Sequence, residues 1–214
     1  MTGISDEEYP KLIDKSARTL DIGCATGFFI KDLPNAVGID VDKNYLRQAK
    51  KLIGQRALYG DSSKIPFANN SFDIINLRYV VEHLEDVKST FKEIARVSKP
   101  NSKVIIMTTN ILNPLVLVKY VLFEKIAKVE KPFTTYHNAN TLSKLDRIMK
   151  VFGFRRVRTL FWTDKKDISK QNSLALKMMD FALNCSRLIF HGIFNTTFLA
   201  IYIRNQKGKI HQEI

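Results

Sequence analysis

Between Arg18 and Thr108 short apolar runs alternate with amphipathic stretches. The runs Arg18 to Ile22, Ala36 to Val41, Ala57 to Gly60, Phe72 to Leu77 and Lys103 to Thr108 read as strands. Phe28 to Leu33, Lys43 to Ile53 and a segment around Lys88 to Val97 read as helices between them. Strands that alternate with helical patterns over short links are the mark of βαβ units, so the pattern predicts an α/β fold with a parallel, doubly wound sheet. Farther on, Asn113-Pro114 offers a cap and a first-turn proline to an apolar helix from Leu115 to about Val129. Leu142, Leu145, Ile148, Met149 and Phe152 are spaced for one helical face, with Gly153 placed to end that helix. Val157 to Trp162 reads as a sixth strand, Leu174 to Phe190 as another apolar helix, and Thr197 to Arg204 as a last strand.

Composition narrows the picture. A chain of 214 residues supports one well-buried α/β core and is short for two, so residues 1–214 are expected to form one domain. The hydrophobic share of 45% and charged share of 26% exclude wholesale disorder. Two cysteines, Cys24 and Cys185, are too few for a disulfide scaffold and lack metal-ligand spacing, which suits a reducing cytosol. The polar start, MTGISDEEYPKLIDKS, has no apolar core of a signal peptide, so a cytoplasmic location is expected. Leu188 to Ile203 is the most apolar stretch, but His191, Asn195, Thr196 and Thr197 interrupt it and it falls short of the ~20 residues that cross a bilayer.

Charge is uneven along the chain. The net +13 divides into 16 Lys+Arg against 14 Asp+Glu in residues 1–110, 13 against 5 in 111–170, and 5 against 2 in 171–214. A basic middle segment favours anionic partners, whether phosphorylated substrates, acidic lipid headgroups or nucleic acid.

The strongest local motif is Thr19-Leu-Asp-Ile-Gly-Cys-Ala-Thr-Gly-Phe-Phe29, an apolar strand running into a small-residue turn and an expected helix. Small residues let a ligand approach the backbone, and a helix N-terminus offers N–H groups to an anion. A dinucleotide fingerprint would need a third glycine where Phe28 stands, and no P-loop sequence is present, so hydride transfer with a dinucleotide and P-loop nucleotide hydrolysis are disfavoured.

The pattern Asp21-x-Gly23-x-Ala25-x-Gly27 resembles the first motif of class I S-adenosylmethionine-dependent methyltransferases, with Ala25 where the family has a glycine. Alanine is a small departure provided the turn needs no positive φ there. Three further segments follow in the family's order: Gly38-Ile-Asp-Val-Asp42; Gly60-Asp-Ser62 followed by Ile65-Pro-Phe67 and Ser71-Phe-Asp73; and Phe72 to Asp86 leading to the helix and turn at Lys92 to Lys103. Asn101-Ser102 stands where the family carries Gly-Gly. The likeness covers about residues 18–110 and points to the type 11 group, which includes quinone-biosynthesis enzymes. It implies a Rossmann-like sheet of about seven strands, mostly parallel with the last strand antiparallel and helices on both faces, with cofactor and acceptor halves near residues 17–110 and 111–214.

By the same resemblance, S-adenosylmethionine is the cofactor, held by Asp21, Gly23, Cys24, Ala25, Gly27, Asp40, Val41, Asp61, Ser62 and Arg78. The glycine loop would cradle the methionine part with Asp21 near its charged end, Asp40 would accept from the two ribose hydroxyls, and Asp61 from the adenine amino group. An Asx-turn at Asp61 is the competing structural reading. Arg78 is placed for the cofactor carboxylate or an acidic substrate. No metal is implied.

Methyl transfer from a sulfonium needs chiefly alignment, and a hydroxyl acceptor also needs a base, for which His83 and His137 are the candidates by type and position. The expected reaction is in-line methylation of a small or lipid-linked acceptor at oxygen, with peripheral contact to an anionic membrane through the apolar helices and the basic segment. An RNA methyltransferase is the alternative that makes use of the basic segment, and a non-catalytic cofactor-binding or partner-binding subunit is the third. The acceptor and the oligomeric state are not legible.

Overall fold

The protein is described by a computed structural model that covers residues 9–112, 139, 141–162 and 197–206. The expected helices at 115–129 and 174–190, and His137, lie outside the described residues.

The apolar runs form one seven-stranded sheet: β1 (Thr19–Ile22), β2 (Ala36–Asp40), β3 (Ala57–Tyr59), β4 (Phe72–Arg78), β5 (Ser98–Thr109), β6 (Phe154–Trp162) and β7 (Thr197–Arg204). Their spatial order is β3-β2-β1-β4-β5-β7-β6. β1 is buried at all four positions, as a central parallel strand covered on both faces must be. Pairing is parallel from β3 through β5, while β7 runs antiparallel to β5 and to β6. The sheet is thus Rossmann-like and mostly parallel, with the last strand reversed.

From β1 the chain steps to one side through β2 and β3, then returns to β1's other side as β4. The links after β1 and β4 leave in opposite directions, and a crevice opens at the strands' carboxyl ends between them.

Both faces are covered. On one, α1 (Lys43–Ile53) brings Leu46, Ala49 and Ile53 together with Tyr9, from a 3₁₀ turn at Tyr9–Leu12. On the other, α2 (Val87–Val97) and α3 (Leu142–Val151) bury Phe91, Ile94, Leu145 and Met149. Each helix begins on a side-chain cap: Asp42 accepts from the N–H groups of Asn44 and Tyr45, Asp86 from Ser89, and Thr141 from Lys144. Among the described residues, no helix is long and apolar enough to cross a membrane.

Three local expectations change. The segment after the first motif is no α-helix: only Phe28–Ile30 forms a 3₁₀ turn. Pro34 disfavours helical backbone at Leu33, leaving too few residues for a second turn. Arg56 ties the turn down from outside: its Nη1 donates to Leu33 O at 2.6 Å, Ile30 O at 3.2 Å and Ala36 O at 3.3 Å, adding to the backbone N–H groups that Ile30 O and Leu33 O already accept. Second, β5 starts at Ser98 rather than Lys103, with a register shift against β4, and Asn101 takes the family's glycine position at φ 62°. Asparagine is among the few side chains that tolerate left-handed backbone. Third, β6 starts at Phe154, immediately after Gly153.

Arg56 therefore pins the segment between the 3₁₀ turn and β2. The variant Arg56→Met keeps much of the apolar stem and removes the donors, and it is expected to cost about 1–3 kcal/mol of stability, checked by urea unfolding.

Candidate cofactor site

A cleft of about 450 Å³ lies at the strand-order reversal. Its walls come from four strand ends: Gly23 after β1, Asp40 and Val41 at the end of β2, Asp61 and Ser62 after β3, and Val80 and His83 after β4.

The turn after β1 is built by the backbone of its neighbour strand. Gly23 and Cys24 N–H groups both donate to Ile39 O, at 2.8 and 3.0 Å, and Gly27 N–H donates to Cys24 O at 2.8 Å. Gly23 has φ 69°, and a Cβ there would run into Val80 Cγ2 across the cleft. Ala25 has φ 46°, so the turn does require a left-handed residue where the family uses glycine. That departure is not free, because an L-residue pays roughly 1–2 kcal/mol in this region. Asp40 holds the strained residue: its Oδ2 accepts from Ala25 N–H at 2.8 Å, while Oδ1 accepts from Asp42 N–H at 2.9 Å.

The N–H groups of Gly23, Cys24, Ala25 and Gly27 are thus engaged within the protein, and the 3₁₀ turn that follows is too short to act as a helix N-terminus. The loop does not offer the anion cradle expected of a helix start. Acceptors predominate instead: Asp40, Asp61, Glu85 and Asp86 all border the cleft, in a chain whose net charge is +13. Such walls suit a cationic ligand rich in hydrogen-bond donors and disfavour phosphates.

Behind the turn lies a buried polar chain. Tyr9 Oη donates to Asn76 Oδ1 at 2.5 Å, and Asn76 Nδ2 donates to Asp21 Oδ1 at 2.6 Å. Burial pushes the Asp21 carboxyl up to about 7, opposed by the Asn76 hydrogen bond and the nearby Arg78 guanidinium and aided by the Asp40 charge. Burial likewise raises the Tyr9 phenol and the Cys24 thiol, so Cys24 is no nucleophile. Arg78, the last residue of β4, lies against the ring of Phe29 and within 6.0 Å of the rings of Tyr9 and Tyr79.

On the far side, Asp61 Oδ1 accepts from Ser63 N–H at 2.7 Å and Ser63 Oγ at 2.9 Å, so the Asx-turn is present at a residue that also borders the cleft. Ser62 Oγ shares a 3.0 Å hydrogen bond with Thr90 Oγ1. Val41 is 56% exposed beside Asp40, an apolar surface ready for a flat ring.

Of the residues singled out in the sequence, the cleft gathers Gly23, Asp40, Val41, Asp61, Ser62 and His83. Asp21, Cys24, Ala25, Gly27 and Arg78 stand outside its lining. Leu84, Glu85, Asp86 and Thr90 also line it and were not anticipated. Leu84, Glu85 and Asp86 follow β4 within the family-like segment and Thr90 lies on α2, but no local pattern separates a cleft-facing residue there from a helix cap or a buried helical position. Among the described residues no cluster of His, Cys, Asp and Glu could hold a metal.

This strand order, with a reversed β7 and a cleft at the β1/β4 reversal, defines the class I S-adenosylmethionine-dependent methyltransferase fold. Residues 20–106 match the family described as "Methyltransferase domain". A demethylmenaquinone methyltransferase of Lactococcus lactis is 29% identical over 144 residues, which are 61% of this chain and 56% of that one. The chain spans about half the length of the curated relatives it matches. Among solved structures, an S-adenosylmethionine-dependent methyltransferase from Thermotoga maritima superposes with a TM-score of 0.68 at 17% identity, over 94% of this chain and 88% of that one. A Haemonchus contortus phosphoethanolamine N-methyltransferase in complex with S-adenosylmethionine gives 0.60 at 21% identity, over 91% and 50%.

S-adenosylmethionine is the family's cofactor, and the residues present fit it. The ligand carries sulfonium and ammonium charges, vicinal hydroxyls and a flat purine. The site has an excess of carboxylates, the Asp40 carboxylate and the exposed Val41.

Two outcomes follow. Ala25→Gly removes the left-handed strain and is expected to raise stability by about 0.5–1 kcal/mol, read as a higher urea midpoint at unchanged slope. For Asp21 the folded carboxyl titrates near 7 and the unfolded one near 3.8. Its contribution to stability is complete below the unfolded value and is lost as pH rises through the folded value. Asp21→Asn keeps an acceptor for Asn76, so the ligand-free variant should melt several degrees above wild type at pH 8 and close to it near pH 4, by thermal scans.

Proposed function

We propose that the chain transfers a methyl group from S-adenosylmethionine to a small or lipid-linked acceptor, with a hydroxyl oxygen as the acceptor atom and residues 17–110 as the cofactor half. The carrying observation is the cleft at the strand reversal, where Asp40, Val41 and Asp61 stand on adjacent strand ends with an acidic lining. The relatives' name, demethylmenaquinone methyltransferase, supports an acceptor of the quinone class.

When bound, the cofactor supplies an electrophilic methyl group on a positively charged sulfur that departs as a neutral thioether. The residues' part is binding and alignment, which for such a displacement supplies much of the acceleration. Asp40 would accept from the ribose hydroxyls on the lone pairs left over from Ala25 and Asp42. Asp61 would accept from the adenine amino group on Oδ2, because Oδ1 is engaged by Ser63. Val41 would lie against the purine, and Asp21, buried behind the cleft, would attract the ammonium end through its charge when ionised. His83, exposed at the rim, would take up the proton that a hydroxyl acceptor loses.

Calorimetric titration with S-adenosylmethionine and S-adenosylhomocysteine tests the reading with two variants. Wild type should bind with micromolar affinity. Asp40→Asn, which keeps one carbonyl acceptor, should bind about tenfold more weakly. Asp40→Ala, which also frees Ala25, should lose binding. A wild-type protein that bound neither ligand would overturn the proposal.

A further inference from the structure

The stretch 60–70 has almost no secondary structure, yet its first residues form one wall of the cleft. What fixes it is a stripe of side chains on α2, spaced three residues apart at Thr90, Glu93 and Arg96. Glu93 Oε2 accepts from Ile65 N–H at 2.8 Å. Arg96 reaches farther. Its Nη1 donates to Phe67 O at 2.7 Å and Asn69 Oδ1 at 2.9 Å, and its Nη2 to Ile65 O at 2.9 Å. The remaining N–H groups, on Nε and Nη2, go to Glu93 at 2.7 and 2.8 Å. All five donors of the guanidinium are thereby matched to acceptors, and three lie on the loop. Thr90 completes the stripe through its hydrogen bond to Ser62 at the cleft itself.

Neither Glu93 nor Arg96 lines the cleft. A buried hydrophobic anchor, Ile65, and an edge-to-face contact of Phe67 with Phe72 would seat the loop against the core without them. The planar fork does something more specific: it fixes the separation between Ile65 O and Phe67 O, and so the position from which the chain runs back to Asp61 and Ser62.

We infer that Glu93 and Arg96 are positioning residues for the adenine side of the cofactor, setting the distance of Asp61 and Ser62 from the Asp40–Val41 wall without touching the ligand. The inference rests on the cofactor reading above. Lysine is no substitute here, because a point charge cannot span the same carbonyls.

The experiment measures binding of S-adenosylhomocysteine and of adenosine alone to wild type, Arg96→Lys, Glu93→Gln, Asp61→Ala and the double variant Asp61→Ala/Arg96→Lys. Thermal unfolding of each variant is recorded alongside. Arg96→Lys should weaken both ligands about tenfold, and the penalty of Asp61→Ala should largely vanish in the Arg96→Lys background, since coupled groups are non-additive. Glu93→Gln, the milder change, should weaken both ligands by less. Unchanged affinities in folded Arg96→Lys and Glu93→Gln, or penalties that simply add, would overturn the inference even where melting temperatures fall, because the clamp would then serve the fold alone. Wild type is compared first, so failure of the cofactor reading shows there as absence of binding before any variant is judged.

Discussion

Everything at the site depends on the point where the strand order reverses. β1 lies between β2, the next strand in sequence, and β4, which arrives after the chain has built and left the β3 edge. The chain leaving β1 turns toward β2, and the chain leaving β4 turns away, so these two links leave the carboxyl ends between them open. The turn after β1 must then fold back tightly enough to leave the gap open. Ile39 O does this by accepting two successive N–H groups from Gly23 and Cys24.

Asp40 ties that turn to the rest. One carboxylate oxygen holds the left-handed Ala25, the other holds Asp42 N–H, and Asp42 in turn caps α1. The residue proposed to hold the cofactor's ribose is therefore also the residue that keeps the adjoining loop in shape. The opposite wall is held differently, by side chains of α2 that reach loop carbonyls rather than by strand backbone. The two walls have independent supports, and the site depends on both.

Charge separates the site from the surface. The chain is strongly basic, yet carboxylates border the cleft and Asp21 is buried just behind it with an amide as its hydrogen-bond partner. Burying a carboxyl beside a neutral partner costs stability in the ligand-free protein when it ionises. A cationic ligand would offset that cost. Three of the arginines are engaged elsewhere: Arg56 and Arg96 on loop carbonyls, and Arg156 on Asp146.

Much was legible in the sequence because the signals are local. Alternating apolar runs gave seven strands and their approximate limits, α1 and β7 to the residue, and the motif order identified the type of cofactor. Side chains of fixed register on short links, such as Asp40 at the end of β2, could be placed without knowing the sheet. What only tertiary structure decided is whatever depends on partners far apart in the chain. The pattern at Phe28–Leu33 predicts a helix, but only a 3₁₀ turn forms, and Arg56, from beyond α1, holds the carbonyls that follow it. The positive φ of Ala25 follows from Ile39 and Asp40, and the pairing of Tyr9 with Asn76 joins residues 67 apart. Periodicity reports which face of an element is buried, whereas hydrogen bonds between distant loops leave no period in the sequence.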